Sequence, residues 1–101
     1  MHPDLEDFLE DALSSIQPIS PSIGRVVIEP DYDVEPNPAD AGHIAAELTE
    51  CLSAQSLEGE SREIEIDRRY AVLAKYLRRI TLHANRVDGP WIEVEPPGNW
   101  I

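Results

Sequence analysis

The sequence predicts a small, helix-rich α+β domain with the element order helix, strand, helix, helix, strand. Its 101 residues suit a single domain, residues 1–101, and leave little room for a second. Apolar residues recur at helical spacing in three segments, and they alternate with polar residues in two short ones. The two strands would form a minimal two-stranded β element. Such a pair is marginal in water, so it must pack on the helices, pair internally or complete a sheet in a partner.

The first helix is predicted over residues 3–16. Its apolar side chains recur at intervals that place them on one helical face: Leu5, Phe8, Leu9, Ala12, Leu13 and Ile16. Pro18 ends this helix, because the residue before a proline avoids the helical conformation. Residues 17–22 then form a Pro/Ser linker inside the domain.

A short strand is predicted over residues 25–29, followed by an exposed extended edge over 30–36, because Pro30 lacks the donor that a central strand needs. Alternate side chains of an extended chain share a face. One face would therefore carry four carboxylates: Glu29, Asp31, Asp33 and Glu35. They would stand about 6.6 Å apart, twice the strand rise of about 3.3 Å, a spacing that resembles successive phosphates along a nucleic-acid strand.

Two further helices are predicted, over residues 38–54 and 62–85. Asn37 would cap the first of them, with Pro38 in its first turn. The second is indicated by apolar residues spaced alternately four and three apart, although residues 62–66 could equally form a strand. Its opposite side would carry a basic stripe: Arg68, Lys75, Arg79 and Arg86. This stripe either pairs with the acidic helices of the same fold or binds a partner.

The last strand is predicted over residues 91–95, and residues 96–101 would form a tail. Trp91, Trp100 and Ile101 are apolar residues that so small a fold accounts for poorly. They are therefore the candidate anchors of an apolar interface.

Charge is distributed very unevenly along the chain. Twenty acidic and eight basic residues give a net charge of -12, and residues 1–60 contain 14 of the acidic residues but only one basic residue, Arg25. This charge disfavours direct binding to nucleic acid or to an anionic membrane, and it favours a basic partner. Adaptation to a salty cytoplasm is another explanation for acidity, but it predicts acidic residues spread over the whole surface.

Catalytic and cofactor motifs do not stand out. Residues 31–35 imitate the start of a calcium loop, but Pro36 and Gly42 stand where the loop needs glycine and glutamate. His43 and Glu47 lie one helical turn apart and supply only two ligands. Cys51 falls on the apolar face of its predicted helix, as an inert thiol does. We expect no enzyme activity, no metal site and no cofactor.

Cellular location follows from what the sequence lacks. A single cysteine excludes an internal disulfide. The chain shows neither an apolar run long enough for a membrane span nor a secretory signal. We expect a cytoplasmic protein.

These observations predict a non-catalytic protein that binds another protein through carboxylates. The concrete hypothesis is an inhibitor that occupies a basic nucleic-acid-binding surface by mimicking phosphates, as an anti-CRISPR, anti-restriction or toxin-immunity protein does. The candidate binding residues are Glu29, Asp31, Asp33, Glu35, Asp7, Asp11, Glu47 and Glu50. The alternative is a small structural or accessory subunit of a phage particle or enzyme complex, bound through apolar strands and the Trp-containing C-terminus.

Overall fold

The structure, a computed structural model, describes residues 4–17, 22–84 and 91–96. The helices are α1 (Asp4–Leu13), a short 3-10 turn (Pro38–Asp40) that leads into α2 (Ala41–Ser53), and α3 (Ala71–Tyr76). The strands are β1 (Arg25–Pro30), β2 (Ser61–Ile64), β3 (Leu77–His83) and β4 (Ile92–Val94).

Within the described residues the four strands form one sheet in the order β2-β3-β1-β4. The central pair, β1 and β3, is antiparallel, β2 is antiparallel to β3, and β4 runs parallel to β1. The two edges of the sheet are therefore β2 and β4. The turn that leads into β2 contains Gly59, whose φ of 105° is a conformation that side-chain-bearing residues rarely adopt.

The core lies between one face of the sheet and the helices. Val26 and Ile28 of β1 are fully buried, as are Ile80 and Leu82, which face them on β3. Buried leucines of α1 and α2 complete the same cluster: Leu5, Leu9, Leu13, Leu48 and Leu52. The radius of gyration of 12.9 Å matches the value of about 13 Å for a folded chain of 100 residues.

The α+β class is confirmed, together with the first two helices and the first strand. Asn37 caps the 3-10 turn as predicted, since its side chain accepts a hydrogen bond from the Ala39 amide. The predicted linker over 17–22 falls largely on residues 18–21, which lie outside the described residues. The same is true of residues 97–101 of the predicted tail.

The predicted element order and the two-stranded β element are wrong. Residues 61–83 form β2, α3 and β3 in place of the predicted helix over 62–85. Leu73, Leu77 and Ile80 fit helical spacing, but Ile80 and Leu82 also alternate with polar neighbours, and this second pattern dominates once β1 lies alongside. Whether a segment forms a strand depends on the strands that pair with it. The spacing of apolar residues within the segment gives no information about those partners.

Candidate functional site

The acidic segment after β1 is a turn, so the predicted extended edge over 30–36 is wrong. The Val34 amide donates to the Asp31 carbonyl at 3.1 Å, and the Asp33 amide donates to Asp31 Oδ1 at 3.1 Å. Aspartate favours this geometry because its side chain can accept from the backbone two residues on. The carboxylates of this segment are therefore gathered on a turn instead of spaced evenly along a strand.

Tyr76 is hydrogen-bonded to both ends of the acidic loop, residues 31–37. The Asp31 amide donates to the Tyr76 carbonyl at 2.8 Å, and the Asn37 amide donates to the Tyr76 hydroxyl at 3.0 Å. That hydroxyl donates in turn to Asp40 Oδ2 at 2.7 Å. Together with Lys75, whose Nζ lies 3.3 Å from the same oxygen, this bond lowers the pKa of the Asp40 carboxyl. The main chain of Tyr76 thus holds the start of the loop over 31–37, and its buried side chain holds the end.

The predicted binding carboxylates fall into two groups. Glu29 and Glu47 are half-buried and engaged within the fold. Glu29 Oε2 lies 3.5 Å from Arg79 Nε across the strand pair, and Glu47 Oε1 accepts from the Val72 amide in the first turn of α3 at 3.2 Å. The others are exposed, except for half-buried Asp31, and have no cationic partner among the described residues: Asp7, Asp11, Asp31, Asp33, Glu35 and Glu50.

Three carboxylates that were not predicted act on the charge of Tyr32. Its side chain is 1% exposed, and its hydroxyl donates to the Glu95 carbonyl. Burial raises the pKa of Tyr32 to about 12, with further contributions from the charges of Glu6, Glu10 and Glu95. Glu6 and Glu10 of α1 and Glu95 after β4 therefore lie close enough to Tyr32 for their charges to act on its hydroxyl.

The sequence carried a signal for two of these residues. Glu6 and Glu10 lie one turn apart, beside the buried face of α1, whereas the predicted Asp7 and Asp11 lie on its outward side. Burial raises the pKa of Glu6, and the charges of Glu10 and Asp7 raise it further. We define the acidic surface as the carboxylates that act on Tyr32 or flank it in the acidic turn: Glu6, Glu10, Asp31, Asp33, Glu35 and Glu95.

Basic side chains are paired elsewhere. The sheet face away from the helices carries ion pairs from Arg25 to Glu93 and from Arg79 to both Glu29 and Glu63. The predicted basic stripe does not form one helical face, since Arg68 lies in a turn and Arg79 on β3, while Arg86 lies outside the described residues. None of the described cations forms an ion pair with the acidic surface.

An apolar groove of about 550 Å³ runs between the end of α1 and β4. Its walls are Leu13, Ile16, Trp91, Ile92 and Val94, with Glu10 and Glu93 also lining it. Trp91 is half-buried there, and its Nε1 donates to the Ile16 carbonyl at 3.0 Å. Of the three predicted apolar anchors, Trp91 therefore lines a groove, while Trp100 and Ile101 lie outside the described residues.

Chemically reactive groups are few in the part of the chain that the structure describes. Cys51 is a buried free thiol, and its burial raises the pKa of the thiol group. No group of three or more metal-ligating side chains occurs within residues 4–17, 22–84 and 91–96. No helix in these ranges is long and apolar enough to cross a membrane.

Comparison with known proteins gives no relative. No family model matches the chain, and neither a curated protein nor a solved structure matches it. The acidic surface and the apolar groove are therefore the features that indicate what the protein binds.

Proposed function

We propose that this is a non-catalytic protein whose acidic surface binds a basic, nucleic-acid-binding surface of another protein and blocks it. One observation carries the proposal. The charges of Glu6, Glu10 and Glu95 act on the buried Tyr32, which belongs to the turn that carries Asp31, Asp33 and Glu35, and none of these six carboxylates has a cationic partner among the described residues. Carboxylates arranged in this way compete with phosphates for lysines and arginines. Inhibitors of nucleases, of CRISPR effectors, of restriction enzymes and of toxins are the class in question.

The structure supports binding by a surface that is formed in advance. Both ends of the loop over 31–37 are hydrogen-bonded to Tyr76, so little conformational freedom remains to be lost when a partner binds. A concentrated negative potential also accelerates encounter with a basic protein. The partner's arginines would then pair with exposed carboxylates such as Asp33 and Glu35.

A subunit role is the second candidate, and the apolar groove beside Trp91 is the observation that favours it. Such a groove suits an interface built on aromatic anchors. Salt separates the two candidates, because an interface made by charges weakens steeply as ionic strength rises, and an apolar one does not.

The test is capture of the partner from host lysate on the tagged protein, after nuclease treatment, with elution by a salt gradient. Asp31→Asn plus Asp33→Asn removes two charges and keeps the turn, because asparagine accepts the same backbone hydrogen bond. The control is Glu58→Gln plus Glu60→Gln, two exposed carboxylates near β2, on the opposite edge of the sheet from β4.

We expect the partner, a nucleic-acid-binding protein, to elute between low and moderate salt. The Asp31 and Asp33 double variant should bind it at least about tenfold more weakly, a loss of about 1.4 kcal/mol, while the control pair binds normally. Equal losses for the two pairs would contradict the assignment of the site. Retention of the partner at high salt would favour the subunit role.

A further inference from the structure

The outer side of β4 has no backbone partner within the described residues. The Val26 amide donates to the Trp91 carbonyl at 2.7 Å, and the Glu95 amide donates to the Ile28 carbonyl at 2.9 Å. Backbone groups alternate in direction along a strand, so those of Ile92 and Val94 point away from β1. No described residue bonds to them on that side. A free edge of this kind is a template for another strand.

The groove lies beside this free edge. Ile92 and Val94 face the helix side of the sheet and line the groove together with Leu13 of α1. The carboxylate of Glu93 pairs with Arg25 on the opposite face, although Glu93 also borders the groove at the strand edge. An incoming strand would follow the same alternation. Every second side chain would enter the groove, and the others would lie beside Glu93 and Glu95.

From this geometry we infer that β4 and the groove bind an extended segment of the partner in which apolar and cationic residues alternate. The segment would add a fifth strand to the sheet. Main-chain bonds to Ile92 and Val94 give affinity in such complexes, and the alternating side chains give specificity. This inference rests on the proposed function, because the partner's cations are what the acidic surface attracts.

Charge favours the alternating cationic segment over a second copy of the chain as the strand that pairs with β4. Pairing of two β4 edges would bring Glu93 and Glu95 of each copy close to those of the other, between molecules that each carry a net charge of -12. Like charges across an interface oppose association. A cationic segment instead meets Glu10 at the groove and Glu95 at the strand end.

The first test is an NMR titration of the ¹⁵N-labelled full chain with a capped hexapeptide of alternating arginine and valine. We expect shift changes centred on the amides of Ile92 and Val94, with slower solvent exchange at both. A peptide with glutamate in place of arginine should not bind. A peptide with N-methylated valines should bind at least about tenfold more weakly, because it cannot donate those strand bonds.

A variant pair tests the edge in the protein itself. Val94→Pro removes an outward amide without removing a bond to β1, which an edge strand tolerates. The control is Ser61→Pro on β2, an exposed position on the opposite edge whose side chain has no hydrogen bond to another described residue. We expect at least tenfold weaker peptide binding for Val94→Pro only. If Val94→Pro does not fold, the N-methylated peptide decides the question on the unaltered chain.

Three outcomes would overturn the inference. Shift changes confined to α1 and residues 31–35 would mean that cations bind without strand addition, which leaves the proposed function standing. Concentration-dependent dimers that Val94→Pro abolishes would make a second copy the occupant. If the peptide does not bind at millimolar concentration, β4 and the groove do not bind a segment of alternating apolar and cationic residues. Partner capture that depends on Val94 but not on Asp31 and Asp33 would instead contradict the proposed function.

Discussion

Removing the charges of Glu6 and Glu10 should make Tyr32 a stronger acid. In the folded protein the pKa of Tyr32 rises from its ordinary value of 10.0 to about 12, a difference of about 2.7 kcal/mol between its protonation states. Burial is the largest cause and persists in the variant. The three acidic charges share the rest of the rise, and Glu6 and Glu10 contribute more of it than Glu95. We therefore expect Glu6→Gln plus Glu10→Gln to lower the pKa of Tyr32 by about 0.5 to 1 unit.

The assay is a ¹³C NMR titration that follows the phenol carbon of each tyrosine separately, with circular dichroism to confirm that the chain stays folded. The matched control is Asp7→Asn plus Asp11→Asn, which removes the same charge from the outward side of α1. Those two carboxylates do not contribute to the pKa of Tyr32. An equal change for both pairs, or none for Glu6 and Glu10, would refute the convergence on which the acidic surface depends.

The remaining predictions concern the supports of the site. The pKa of Asp40 is lowered in the fold, mainly by the hydrogen bond from Tyr76, so Asp40→Asn should destabilise the protein at pH 7. The difference in the free energy of unfolding between this variant and the unaltered protein should shrink as the pH falls below about 4. Urea unfolding at a series of pH values measures this difference. Glu47→Ala should lower the free energy of unfolding by about 1 kcal/mol, because the Val72 amide at the start of α3 loses its acceptor. Exposed Glu50→Ala on the same helix should change it by less than about 0.5 kcal/mol.

The helices of the first half of the chain could be predicted because the sequence patterns that specify them are local. The spacing of Leu5, Leu9 and Leu13 defines α1, and Asn37 with Pro38 marks the start of the second helical segment. Caps and helical periods depend on neighbours within a turn. A single sequence therefore suffices to find them.

The second half depends on contacts that are distant in the sequence. β3 forms because β1 lies some 50 residues earlier and pairs with it, Val26 opposite Leu82 and Ile28 opposite Ile80. The acidic surface could likewise be predicted only in part. Asp31 and Asp33 were found from the alternation of residues along the segment, whereas Glu95 reaches Tyr32 only because β4 runs parallel to β1. No pattern inside the sequence links residue 95 to residue 32.

The distribution of charge in the fold argues that the acidic surface is more than a means to solubility. Arg25 and Arg79 neutralise carboxylates on the sheet, where cross-strand pairs form readily. On α1, burial and repulsion from Glu10 and Asp7 raise the pKa of Glu6, so ionising it at neutral pH destabilises the folded state. Scattered acidic residues would keep the chain soluble without this repulsion. Cations from a partner would relieve this repulsion, since none of the described cations forms an ion pair with the acidic surface.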